Sequence, residues 1–299
     1  MPADSLQIFE QQRRRLTGLA YRMLGAVSDA EDVVQDAWLR WQRVEPTEIA
    51  NPQAWLSTVV TRLCLDRLKE ARRRRETYVG AWLPEPLLED PELAMTPEAE
   101  VGRDVSFALM LALERLSPLE RAAFILHDVF ELDFAEVAAA LERSEAACRQ
   151  LASRARGRLR AERPRFTPSS EERAFLVQAF LEASRSGDTQ RLQGLLSEGA
   201  VLHSDGGGRK PAALNPILGR EKICRFFAGL DRKGKTGPPR WTRRTTINGL
   251  PGCVSVEADG TLQTSAFEIA NGRIVAIYTV RNPDKLTHLL PLLEAEGLG

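Results

Sequence analysis

At 299 residues the chain has room for two or three domains. Its composition, 43% hydrophobic and 27% charged, is that of a globular protein. No stretch approaches the roughly 18 apolar residues that would span a bilayer, and the N-terminal MPADSLQIFEQQRRR has no apolar core of a signal peptide. The 41 basic and 41 acidic residues cancel. Cys64, Cys148, Cys224 and Cys253 are scattered without a C-x-x-C pair, which argues against a disulfide framework or a metal knuckle and for a reduced cytosol.

In chain order, residues up to about 76 read as all-helical. Leu16, Leu19, Ala20, Met23, Leu24 and Val27 mark one amphipathic helix. Ser28 or Asp29 is expected to cap the next, with Glu31 and Asp32 in its first turn, where carboxylates suit the helix dipole. That helix carries Val33, Val34, Ala37, Trp38 and Trp41 on its apolar side and Asp32, Gln35, Asp36 and Arg40 on its polar side. Pro52 opens a third helix that ends in the arginine run Arg72 to Arg75. Residues 77–103 hold Pro84, Pro86, Pro91 and Pro97, too many for a continuous helix. Between Glu85 and Glu100 they carry six acidic residues and no basic one. They read as an acidic linker, with a docked segment near Trp82 and Leu83.

A second helical unit follows over 104–165. Ser117 and Pro118 make a helix start. Asp133 to Arg165 then reads as two short helices around a tight turn, the layout of a helix-turn-helix. Phe134, Val137, Ala138 and Leu141 give the first helix its apolar face, and Ser144 is the expected N-cap of the second. On that second helix Ala147, Cys148, Leu151, Ala155 and Leu159 fall on one side. Arg149, Ser153, Arg156 and Arg160 fall opposite, flanked by Gln150 and Arg154. Arginine matches guanine bidentately, glutamine matches adenine, and arginines neutralise phosphates. The bland reading is a solvated basic helix in an ordinary bundle.

From 170 to 299 the pattern is α+β. Phe175, Leu176, Ala179, Phe180 and Ala183 mark a helix, Gly206-Gly207-Gly208 a loop, and Arg240 to Val280 is β-rich, with Asn271-Gly272 as a two-residue hairpin turn. His127, His203 and His288 have no metal-ligand spacing, and His127 reads as structural.

These blocks together resemble an extracytoplasmic-function (group IV, sigma-70 family) RNA polymerase sigma factor. DAEDVVQDAWLRW, AWLSTVVTRLCLDRLKEARRRR and ALERLSPLERAAFILHDVFELDFAEVAAALERSEAACRQLASRARGRL match, in order, the polymerase-docking helix, the −10-reading helix and the −35-reading region 4. The resemblance implies a multidomain fold: an all-α region 2 bundle (1–76), the linker (77–103), an all-α region 4 helix-turn-helix (104–165) and a third domain (170–299). Trp82-Leu83-Pro84, Asp205-Gly206-Gly207-Gly208-Arg209 and Asn282-Pro283-Asp284-Lys285-Leu286 resemble signatures of the subgroup with a fused α+β SnoaL-like cone domain, of the nuclear-transport-factor-two-like fold. In that subgroup the extra domain regulates the sigma factor in cis.

The carried-over roles are therefore polymerase contact at Asp32, Gln35, Asp36 and Arg40, on the β′ clamp helices, with region 4 on the β flap. Promoter −10 contact falls to Arg62, Arg67, Lys69, Arg72 and Arg73, whose bland alternative is a charged helix end. Promoter −35 contact falls to Arg149, Gln150, Ser153, Arg154 and Arg156. Many family members carry asparagine four residues before the aspartate found here as Asp66; this chain has Arg62, which leaves the −10 reader open. The triple glycine is either a flexible turn or a packed interface loop, and both it and Asn282 to Leu286 are expected near the linker or region 2. The resemblance implies no catalysis, no cofactor, no metal and no membrane partner, and leaves room for a small ligand in the third domain. Two other readings stand beside it. One is a ligand-responsive regulator that binds DNA without polymerase. The other is a SnoaL-like enzyme, for which His203, Asp205, Asp231, Glu257 and Glu268 are the available acid–base groups, with no pairing visible.

Overall fold

A computed structural model describes residues 3–44, 49–76, 78–89, 106–159 and 170–298, with the side chains of 3, 4, 70–76, 89 and 170 outside that description. Its contacts divide the chain into two compact units. One combines Met1–Thr77 with Glu92–Arg163, and the other combines Tyr78–Pro91 with Pro164–Gly299.

In the first unit, α1 (Ala3–Leu24), α2 (Val27–Trp41) and α3 (Pro52–Glu76) pack on one another. Leu16, Leu19, Ala20 and Met23 of α1 face Val33, Val34 and Ala37 of α2 in a closed core. Trp41 is fully buried, its indole donating to the Ser5 carbonyl at 2.9 Å, and Trp55 packs against it with ring centroids 5.5 Å apart. The start of α2 corrects the sequence expectation. Neither Ser28 nor Asp29 is the cap. Gly25 turns the chain at φ +73°, Ala26 is the N-cap, and the helix begins at Val27. Asp29 therefore takes the first turn, and Glu31 and Asp32 fall in the second.

The second half of this unit holds α4 (Phe107–Glu114), α5 (Pro118–Phe124), a π-helical turn over Ile125–Val129, α6 (Phe134–Leu141) and α7 (Glu145–Leu159). Ser117 and Asp133 each close a capping box, with Glu120 and Glu136 as the returning carboxylates. The Ser144 hydroxyl receives the Ala147 amide as expected.

In the second unit seven strands form one sheet in the order β1-β4-β5-β6-β7-β2-β3. Its members are β1 (Leu88–Glu89), β2 (Leu196–Asp205), β3 (Ile217–Leu218), β4 (Trp241–Ile247), β5 (Leu250–Val256), β6 (Leu262–Ala270) and β7 (Arg273–Val280). All neighbours are antiparallel except β2 and β7. Asn271 and Gly272, at φ +51° and +69°, make the β6–β7 turn with both residues left-handed. Helices α8 (Ser170–Arg185), α9 (Thr189–Leu195) and α10 (Arg220–Arg232) cover one sheet face over a core that includes Phe180, Leu192, Ile223, Phe267 and Ile277. Leu289 precedes a last helix, α11 (Leu290–Ala295). This is the α+β domain the resemblance implies. The linker contributes β1, which extends the sheet at β4 through Leu88 opposite Ile247.

Candidate functional site

Three groups of side chains answer to the sequence expectations. The first lies on α2 and α3. Burial of Val33, Val34, Ala37 and Trp41 turns Asp32, Gln35 and Arg40 to solvent and leaves Asp36 half-buried. Arg67 of α3 reaches across to Asp32 at 3.2 Å, Asp36 at 3.4 Å and Asp29 at 3.6 Å. Burial alone would favour losing its proton, but these carboxylates outweigh that and hold the guanidinium above its ordinary pKa. A residue assigned to DNA is thus tied to two assigned to polymerase. Lys69 pairs with Asp66 at 2.9 Å in solvent. The expectations for Arg72 and Arg73 lie outside the described side chains.

Arg62 is engaged elsewhere. Its Nη2 donates to the Ala139 carbonyl at 2.8 Å and its Nε to that of Ala140 at 3.2 Å, with Glu142 at 3.3 Å. Those carbonyls close the C-terminus of α6, where a cation is favoured. Two further arginines repeat the pattern between the two halves of the unit. Arg15 donates to Phe130 at 2.9 Å, and Arg121 donates to Met23, in the last turn of α1, at 2.8 Å.

The second group is on α7. Cys148, Leu151, Ala152 and Ala155 are buried, so Arg149, Gln150, Ser153 and Arg154 are exposed, while Arg156 is half-buried on Asp128 at 2.5 Å. Glu120, at the start of α5, binds Arg158 at 2.8 Å and Arg154 at 3.4 Å while it closes the Ser117 capping box. Sequence reasoning saw the helix start at Ser117 and Pro118 and missed both roles of Glu120. Burial opposes ionisation of Glu120, but the Ser117 donors and the two arginines prevail and lower its pKa. A carboxylate with a lowered folded pKa contributes stability that is present above the unfolded pKa and lost as pH falls through the folded one. The docking of α7 is therefore expected to loosen as pH drops below the usual carboxylate range. Circular dichroism melts from pH 6 downward, compared with Glu120→Gln, check this. An equal acid sensitivity in the variant would refute it.

The third group anchors the linker to the sheet. Asp205, at the end of β2, is fully buried. Its Oδ1 accepts from the Tyr78 hydroxyl at 2.5 Å and the Gly207 amide at 3.0 Å. Its Oδ2 accepts from the Leu83 amide at 2.9 Å and Lys285 Nζ at 2.8 Å. Lys285 also donates to the Leu83 carbonyl and lies over the Trp82 ring at 4.3 Å and the Tyr78 ring at 4.9 Å. Asn282 donates to the Tyr78 oxygen at 2.8 Å. Farther along, His288 Nε2 meets the Pro86 carbonyl at 2.8 Å. The Leu87 amide and carbonyl pair with the side chain and amide of Asn248, each at 2.9 Å. Burial, then the bond to Asp205, raises the Tyr78 pKa.

The triple glycine is a packed loop. A Cβ on Gly206 would overlap the Lys210 carbonyl, and one on Gly207, at φ +59°, would overlap the Asn282 amide. Gly208, at φ +71°, leaves 3.2 Å to the Val79 Cβ. Arg209 pairs with Asp284 at 3.4 Å in solvent. Leu83 and Leu286 are buried beside this anchor, and Asn282 caps the short turn Pro283–Lys285. The segments around Pro84, Asp205 and Asn282 therefore meet as expected. Tyr78, Asn248 and His288 belong to the anchor too, and the sequence carried no signal for them.

Of the acid–base groups weighed for an enzyme, Glu268 and His203 meet on Tyr278, whereas Asp231 and Glu257 each lie elsewhere. Glu268 accepts from Tyr278 at 2.9 Å, His203 stacks on Tyr278, Asp231 accepts from Thr236, and Glu257 accepts from Ser255. Among the described residues no cluster of three or more His, Cys, Asp or Glu could hold a metal, and no helix is long and apolar enough to cross a membrane.

Family models described as Sigma-70 region 2 and Sigma-70 region 4 match residues 8–74 and 106–159. The chain is 41% identical over 291 residues to the ECF RNA polymerase sigma factor SigJ of Mycobacterium tuberculosis, spanning 93% of this chain and 92% of that one. It is 30% identical over 290 residues to the probable ECF sigma factor SigI of the same species, spanning 93% of each. The crystal structure of the M. tuberculosis SigJ superposes with a TM-score of 0.78 at 38% identity, covering 94% of this chain and 98% of that one.

Proposed function

Because this chain belongs to the extracytoplasmic-function RNA polymerase sigma factors and is a polymerase-binding transcription initiation factor, we propose that its third domain regulates it in cis by holding the linker. The observation that carries this is the buried Asp205–Lys285 pair at 2.8 Å, closed around the Leu83 backbone. Fixing residues 78–89 on the sheet restricts the reach of the two promoter-contacting regions that the linker joins.

In this reading the polar face of α2, with Asp32, Gln35, Asp36 and Arg40, docks on the β′ clamp helices, and the helix-turn-helix seats on the β flap. Arg62, Arg67, Lys69, Arg72 and Arg73 act at the −10 element, where a positive groove tracks an opened strand. Arg149, Gln150, Ser153, Arg154 and Arg156 act at −35. The anchored third domain serves as a regulator without catalysis, in the cytoplasm, and no cofactor is required. Run-off transcription with core RNA polymerase tests the scheme on a promoter selected from genomic fragments. The full chain, a chain ending near Pro168 and one lacking the segment from Asn282 should all initiate only with polymerase, at rates that differ between them. Equal rates from all three would refute regulation by the third domain.

A further inference from the structure

Phe134 opens α6 but stays partly exposed, which is unusual for the first aromatic of a core-facing helix. What surrounds it explains the position. The His127 ring stacks on it, with centroids 3.9 Å apart and planes 29° from parallel. The Arg149 guanidinium carbon lies over the same ring, 5.2 Å from its centroid. The column is fixed at its base, since His127 Nδ1 meets the Leu132 carbonyl at 2.8 Å. At its top Glu145, one turn earlier on α7, holds Arg149 at 2.5 Å.

Arg149 sits near the N-terminal end of α7, the end of a recognition helix that meets base edges. Bidentate reading of guanine needs the planar fork of arginine in one orientation, and a free arginine side chain samples many. An aromatic face offers a weakly hydrated guanidinium a flat seat without consuming its hydrogen-bond donors. The other arginines of this face are seated differently: Arg154 on Glu120 and Arg156 on Asp128. Among the described residues, Arg149 alone on α7 lies over a ring.

We propose that Phe134, backed by His127, is a positioning residue that presets Arg149 to read one base pair of the −35 element. The inference rests on the reading of α7 as the −35 helix and adds which residue sets the specificity of its first arginine.

The test uses the full chain with core polymerase on a promoter library carrying every single-base substitution across the −35 element. Arg149→Ala should lose discrimination roughly tenfold at one base pair. Phe134→Leu should lose most of it at that same pair, Phe134→Tyr should retain it, and the double variant should be no worse than Arg149→Ala. Phe134→Met, apolar and similar in volume, serves if Phe134→Leu melts early. A base-specific loss in Arg149→Ala with an even loss, or none, in the Phe134 variants overturns the positioning role alone. An even loss in Arg149→Ala overturns the base-reading assignment and the proposal with it.

Discussion

Replacing Asp205 with alanine should detach residues 78–88 from the third domain and lower the melting temperature of the second unit by roughly 10 °C, given about 3–5 kcal/mol for orphaning a buried charge partner. Asp205 is fully buried and accepts four bonds, from Tyr78, Leu83, Gly207 and Lys285. Its loss strands the Lys285 ammonium, whose side chain is only 10% exposed, against the Leu83 carbonyl and two aromatic rings. The core of Phe180, Leu192, Ile223, Phe267 and Ile277 contains no linker residue, so the fold of the sheet should survive the release. Amide hydrogen exchange at Leu83 and Leu87 reads the release directly, and run-off transcription reads its consequence. Wild-type protection at Leu83 in the variant would show that apolar packing alone holds the linker. Lys285→Met in the same background separates the pair, because the double variant should recover part of the loss once neither charge is left alone.

Arg121→Ala should cost the first unit a similar amount, about 3–5 kcal/mol. Its side chain is 3% exposed. It donates to the Leu113 carbonyl at 2.9 Å, to Glu114 at 2.8 Å and, across the two halves of the unit, to Met23 at 2.8 Å. Burial brings its pKa down to about 10, still well above neutrality, so it is charged in the cell. Alanine removes the Nε donor from the Leu113 carbonyl and the Nη1 donor from the Met23 carbonyl, and leaves a void beneath α5. Thermal melts should show the loss, and limited proteolysis should cut between α3 and α4 faster. Arg121→Lys keeps the charge but not the fork, and should recover less than half the stability. An unchanged melt for Arg121→Ala would show that the contact to Met23 is incidental to holding the halves together.

Local chemistry was the legible part of this chain. Ser117-Pro118, Ser144 and Asn271-Gly272 each act within four residues, and each formed where its residues predict. The start of α2 was misjudged for a local reason as well: Gly25 ends α1 so abruptly that α2 begins before the better capping residues, Ser28 and Asp29, are reached. The resemblance marked Trp82, Asp205 and Asn282 as a set, yet no periodicity links them. Asp205 meets Leu83 across 122 positions, and Asn282 meets Tyr78 across 204. Lone residues such as Tyr78, Asn248 and His288 carry no pattern in one sequence, because their significance lies wholly in the contact. The same holds for Arg62. Its place on α3 predicts a cation near DNA, and only the tertiary packing shows it closing the end of α6.

The length of the loop closed by the linker anchor also sets an order of events during synthesis. Lys285 lies 202 positions after Leu83. At about 5–20 residues per second, the ribosome delivers it roughly 10–40 s later. Both helical blocks of the first unit are out of the ribosome well before that, while Asp205, Asn282 and Lys285 do not yet exist as a receptor for the linker. Every newborn molecule thus passes through an interval in which its linker has no receptor, and in the proposed scheme restraint by the third domain can begin only after Lys285 has been made.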